Sequence, residues 1–292
     1  MPTSITDNDL AIFEELAIAN YHSTHTLTAL FGNGKGTYVT SRLSRLVKDH
    51  FLGMTFFSDM RWGKVGSPAI YYLAEKALAL VHLDPEHRHL LSQRLAKSKA
   101  LQGRTLRHNI LRSKFRTCLL LMSRASTWRI DRWMQHDRRF PILGYASWIE
   151  DKEQREREIN PDAFFSIEAP SCKAFHFFLE IDMVTYAVSR SDMTQGSSIE
   201  KKLILYESLL RERWRLEDLE ASYFRLIFVV KASNSTNPQF KEQRVESIRA
   251  ILERDEFANI RKCVRFVSEC DLGFGEEIRF EDADGTTVSL FD

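Results

Sequence analysis

The chain has 292 residues, 43% of them hydrophobic and 28% charged, and its 41 Lys and Arg almost balance 40 Asp and Glu. That is enough for two domains with separate cores, and the mixture is that of a globular protein, not a disordered tail. Nothing approaches the roughly 20 apolar residues of a membrane span, no cationic apolar leader opens the chain, and the cysteines (Cys118, Cys172, Cys263, Cys270) lack C-x-x-C spacing, so the expectation is a cytoplasmic protein with reduced thiols.

Leu10, Ile12, Phe13, Leu16, Ala17 and Ala19 recur at helical spacing, with Asp7 or Asp9 placed to cap the start. Thr24 to Phe31 forms a second short helix. A glycine-rich break, Gly32-Asn33-Gly34-Lys35-Gly36, precedes a third helix from about Thr37 to His50. The break is not a phosphate loop, because Ala29 stands in place of the first glycine and Gly36 in place of the Ser or Thr. Val39, Leu43, Leu46 and Val47 form the apolar stripe of the third helix, and Thr40, Ser41, Arg42, Arg45 and Lys48 lie off it. Strands at Phe51–Phe57 and Ala69–Leu73 flank a loop holding Arg61, Trp62 and Lys64, and a helix from Ala74 to Leu83 closes the segment. Helix, helix, helix, strand, loop, strand is the winged-helix order. Residues 1–86 are therefore expected to bind double-stranded DNA, with Thr40, Ser41, Arg42, Arg45 and Lys48 facing the major groove and Arg61 and Lys64 on the backbone.

The charge is strongly segregated. Residues 1–87 hold 7 Lys and Arg against 9 Asp and Glu, residues 88–139 hold 14 against 2, and the remainder holds 20 against 29. A stretch of net +12 between two acidic portions is expected to contact a polyanion, the alternative being a solvated arm that neutralises its own acidic neighbours. Residues 87–105 read as a basic helical linker. His82, His87 and His89 do not share a helix face, so they are not a metal-ligand set. The helix that follows, 106–125, stacks His108, Arg112 and Arg116 at four-residue spacing.

Downstream come strands at Trp128–Trp133, Asp162–Glu168 and Ala174–Asp182, with a charged loop Glu150–Glu158 before the second. A helix Ile199–Trp214, a strand Tyr223–Val230, a helix Phe240–Glu253, a strand Cys263–Ser268 and a terminal hairpin around Asp284-Gly285 complete a mixed α/β domain over 106–292. Alternation along 174–182 puts His176, Phe178, Glu180 and Asp182 on one side of the strand. With Asp162 at the neighbouring strand start, three carboxylates converge as a hard divalent cation requires, and Mg²⁺ is the cofactor expected if this site is active. No G-x-S-x-G turn is present, Tyr206 reads as a core tyrosine beside Leu203 and Leu210, and Trp128, Trp133 and Trp148 read as core or interface residues.

The strand order with Pro161-Asp162 and then Glu180-x-Asp182 resembles the restriction-endonuclease-like PD-(D/E)xK core. The chain also resembles the bacterial replication-relaxation family of plasmids and other mobile elements, over most of residues 24–270. The residues behind that likeness are Tyr71-Tyr72-Leu73, Leu106-x-His108, Pro161-Asp162-Ala163, Phe178-Leu179-Glu180-Ile181-Asp182, Lys202-Leu203-x-x-Tyr206 and the strand Leu226–Val230. The nuclease likeness implies Asp162, Glu180, Asp182 and Lys202 as catalytic residues, the first three as metal ligands. Asp182 occupies the position that takes lysine in the nuclease pattern, and Lys202, at the edge of the buried stripe of the following helix, is the substitute that some members of the fold supply.

Together these readings predict a winged-helix domain followed by a restriction-endonuclease-like mixed α/β domain. They imply a DNA-binding protein acting in replication or mobilisation, with a degenerate nuclease fold, partnered by double-stranded DNA and by a second copy or other replication proteins. A Mg²⁺-dependent DNA endonuclease and a winged-helix transcriptional regulator are the alternatives.

Overall fold

A computed structural model describes residues 4–32, 36–57, 68–83, 85, 88–89, 91–93, 103–135, 142–147, 154–171, 173–183, 187–189, 198–212, 216–217, 219–231 and 239–291. The chain divides into two compact units, Met1–Leu121 and Met122–Asp292. Among the described residues no helix is long and apolar enough to cross a membrane.

The first unit opens with helix α1, Asp7–Ala19. Thr6, not Asp7 or Asp9, is its cap: the Thr6 hydroxyl accepts from Asp9 N, and Asp9 accepts from Thr6 N at 2.7 Å in return. A two-residue strand that sequence periodicity does not reveal, β1 at His22–Ser23, leads into α2, Thr24–Phe31, capped by Ser23. Helix α3, Gly36–Lys48, is followed by β2, Leu52–Thr55, and β3, Ile70–Leu73, which pair antiparallel in the order β1-β3-β2. Ile12, Phe13, Leu16, Leu27, Val39, Leu43 and Leu46 form the core between them.

Three expectations change here. The closing helix is only Glu75–Leu78, α4, because the chain turns at Ala79 and the Leu80 N–H bonds to Ala77 O. Leu91, within the stretch read as a linker, packs into the first core. The helix α5, Arg104–Arg124, expected to open the second domain, lies mostly in the first unit. Its Leu106 packs with Tyr21 and Ile70, and its Ser113 hydroxyl donates to Tyr21 O at 2.5 Å.

The second unit is a seven-stranded mixed sheet. Its strands are β4 (Arg129–Met134), β7 (Ala163–Glu168), β8 (Ala174–Asp182), β9 (Arg225–Val230), β10 (Val264–Ser268), β11 (Phe280–Asp282) and β12 (Thr287–Val288), in the order β12-β11-β10-β9-β8-β7-β4. β8, β9 and β10 run parallel, and the outer pairs are antiparallel. Residues 154–158 of the stretch read as a charged loop are instead strand: β5 (Ile142–Ser147) pairs antiparallel with β6 (Gln154–Ile159). Helices α6 (Ile199–Arg211), α7 (Gln239–Leu252) and α8 (Ala258–Arg261) share one core with the sheet. Phe178 sits at its centre, with ring centroids 5.2 Å from Phe164, 4.7 Å from Phe224 and 5.4 Å from Tyr206. Such parallel strands, buried on both faces, need the near-continuous apolar run Leu226–Val230 supplies.

Candidate functional site

Two places gather residues expected to carry function, one in each unit. The first is α3. Its outward positions are Thr37, Tyr38, Ser41, Ser44, Arg45 and Lys48, all exposed. They fall within an arc of about 120° at the helical 100° per residue. No acidic residue stands among them, and Tyr38 is 60% exposed.

Arg42 is not part of this face. Its Nε donates to Asp9 Oδ1 at 2.8 Å, its Nη2 pairs with Asp9 Oδ2, and the same group donates to Ser4 O at 2.6 Å. Burial alone would raise the Asp9 carboxyl, but the hydrogen bonds from Arg42 and Thr6 hold it below its ordinary range. Arg42 therefore ties α3 to the start of α1. Thr40 is half-buried, and its hydroxyl donates to Gly36 O of its own helix at 2.8 Å. Arg61 and Lys64 of the loop after β2 lie outside the described residues.

The basic stretch 88–139 is partly spent on internal pairs. Arg112 is 1% exposed, its Nη2 donating to Asn109 Oδ1 at 2.7 Å. Arg116 forks onto Glu15 at 2.8 and 2.9 Å, and His22 Nε2 meets the same carboxylate at 3.1 Å. Burial pushes Glu15 upward, but the Arg116 charge and the His22 and Arg116 hydrogen bonds outweigh it and bring the carboxyl down to about 2. Arg129 pairs with Glu168, and Arg132 with Glu220. Arg116, Arg129 and Arg132 of this stretch thus meet acidic partners within the protein.

The second place is the start of β7 and the end of β8. Antiparallel pairing sets Asp162 beside Leu179–Ile181: Asp162 N donates to Leu179 O at 2.9 Å, and Ile181 N donates back to Asp162 Oδ2 at 2.6 Å. Glu180 and Asp182, two residues apart, share a face of β8. Helix α6 begins at a Ser198 cap, and Lys202 and Tyr206, one turn apart, both reach Glu180. Lys202 Nζ lies 2.5 Å from Glu180 Oε2, and the Tyr206 hydroxyl donates to Oε1 at 2.7 Å. From α7, Arg244 forks onto Asp182, with Nε 2.7 Å from Oδ2 and Nη2 3.1 Å from Oδ1. Asp162, Glu180 and Asp182 are 7%, 2% and 5% exposed. Burial, together with the nearby Asp162 charge, pushes the Glu180 carboxyl up to about 7 despite Lys202. Burial and the Glu180 charge raise the Tyr206 hydroxyl well above its ordinary value, so it stays a hydrogen-bond donor.

The sequence-predicted residues Asp162, Glu180, Asp182 and Lys202 thus come together, with Lys202 in contact with Glu180. The arrangement does not fit a divalent cation. A hard cation needs carboxylate oxygens turned to a common point. Here a backbone N–H, an ammonium with a phenol, and a guanidinium fork engage the three carboxylates separately. Among the described residues no group of three or more His, Cys, Asp and Glu is placed to hold a metal ion. Arg244 had no signal in the sequence, since it lies 62 residues from Asp182. Tyr206 was legible only as a core residue, and its spacing from Lys202 was the clue to its second role.

A family model described as replication-relaxation matches residues 13–217. No curated protein and no solved structure matches the chain.

Proposed function

The chain belongs to the replication-relaxation family, and from that premise we propose that it is a DNA-binding protein of a plasmid or other mobile element, acting in replication or mobilisation. The first unit serves as a winged-helix module. Helices α1, α2 and α3 with the three-stranded antiparallel sheet support that reading, α3 being the helix that enters the major groove of duplex DNA. The observation that carries the proposal is the exposed, acid-free face of α3, with Arg45 and Lys48 toward its C-terminal end. Cations on such a face gain by releasing counterions from phosphates.

The second unit keeps a restriction-endonuclease-like arrangement of strands and carboxylates as a scaffold. An endonuclease reading has less support, because the carboxylates it requires have fixed partners within the protein.

A salt titration of duplex affinity tests the proposal. Wild type should bind random-sequence duplex with a steep fall of log K against log salt. Arg45→Ala and Lys48→Ala should each reduce the slope by about one. Failure to retain duplex at low salt, or slopes unchanged in both variants, would remove α3 from any DNA interface.

A further inference from the structure

Resting on the DNA-binding reading, the geometry points to a division of labour on α3: Tyr38 reads base edges, Arg45 and Lys48 hold phosphates, and Arg42 positions the helix without touching DNA. Among the described residues Tyr38 has the largest exposure, 60%, of the exposed large hydrophobic side chains. It stands in the first turn of α3, Gly36–Lys48, and is one helical turn from both Ser41 and Arg42.

An aromatic ring left in water has apolar area to bury, and its phenol both donates and accepts a hydrogen bond. In a major groove those properties suit a thymine methyl for the ring and a purine N7 or a neighbouring base edge for the hydroxyl. The surrounding Thr37, Ser41 and Ser44 are small and exposed, so they leave the ring room to approach base pairs. Toward the other end, Arg45 and Lys48 are exposed cations, suited to phosphates that carry no sequence information.

Arg42 differs from them in kind. Its guanidinium is fixed on Asp9 and on Ser4 O, and Asp9 in turn closes the α1 cap with Thr6. It is a positioning residue, fixing where the reading face points by joining α3 to α1.

The test is selection from a library of random-sequence duplexes, followed by affinity and salt dependence for the selected and an unrelated duplex. Tyr38→Ala should lose roughly tenfold in affinity for the selected duplex, a typical consequence of one lost base contact. Its binding to the unrelated duplex, its salt slope and its melting temperature should be unchanged. Tyr38→Phe should recover part of the preference, the part carried by the ring. Arg42→Ala should lower the melting temperature and weaken both duplexes together while keeping the salt slope of wild type. A Tyr38→Ala variant that selects the same sites with the same discrimination overturns the proposal and leaves the DNA-binding reading standing. Wild type that retains no duplex overturns both.

Discussion

Each unit buries a glutamate against a cation, and the two carboxyls move in opposite directions. Glu15 accepts from Nε and Nη2 of Arg116 and meets the His22 ring, and is held at about 2. Glu180 meets the Lys202 ammonium and the Tyr206 hydroxyl, yet rises to about 7. A nearby cation therefore does not decide the outcome alone. Glu15 has a fork of charge-assisted hydrogen bonds and no second carboxylate among the causes of its shift, whereas Glu180 shares its surroundings with Asp162. Crowded carboxylates are what the resemblance to a nuclease core led one to expect. What differs is that groups of the protein engage each of them, a backbone N–H at Asp162, Lys202 and Tyr206 at Glu180, and Arg244 at Asp182.

The comparison is most directly broken by removing the cations one at a time. Arg244→Leu strands Asp182, 5% exposed, without its fork, and Arg116→Leu does the same to Glu15. Each should lower unfolding free energy by about 3 to 5 kcal/mol in urea denaturation. Lys202→Met should lose only about 1 to 2 kcal/mol near neutral pH, because Glu180 can take up a proton and keep its Tyr206 hydrogen bond. If Lys202→Met matched Arg244→Leu, Glu180 would be ionised in the native protein and the contrast between the two glutamates would collapse.

The pH dependence reads the same contrast without removing a cation. Glu15 sits below its ordinary 4.5, so the folded state binds fewer protons than the unfolded chain, and stability is lost as the pH falls from about 4.5 toward about 2. Glu180 sits above 4.5, so the folded state binds more protons, and its contribution declines as the pH rises from about 4.5 to about 7. Glu15→Gln should flatten the lower window and leave the upper slope, and Glu180→Gln should do the reverse. Urea midpoints measured across both windows read the two slopes separately. An unchanged upper slope in Glu180→Gln would assign it to another group.

What the sequence made legible follows from the range of the interactions involved. The stripe Ile199, Leu203, Tyr206 and Leu210 appeared because helical spacing is local, and all four side chains are buried. Alternation placed Phe178, Glu180 and Asp182 on one face of β8, and the position of Lys202 at the stripe's edge is where it meets Glu180. Arg42 looked like Arg45 three residues on, and only Asp9, 33 residues away, separates their roles. The hairpin β5–β6 was invisible because Gln-Arg-Glu-Arg-Glu carries no apolar alternation to mark a strand. Arg112 and Arg116 added to a basic run on paper, but the fold buries both.

The smallest expected effect is the one most informative about the second unit. If the partners of Asp162, Glu180 and Asp182 satisfy the centre, Mg²⁺ has no pre-arranged oxygen set to enter, and anything that binds only the folded state would raise stability with its concentration. The melting temperature of the full chain in Mg²⁺ should therefore match that in EDTA at equal ionic strength. A variant sharpens the point: Arg244→Ala frees Asp182 from its fork, but Asp162 and Glu180 keep their partners, so no saturable Mg²⁺-dependent rise is expected there either. A saturable rise in wild type, abolished by Glu180→Gln, would mean that these partners yield to a cation, and would move the endonuclease from the alternative to the leading reading.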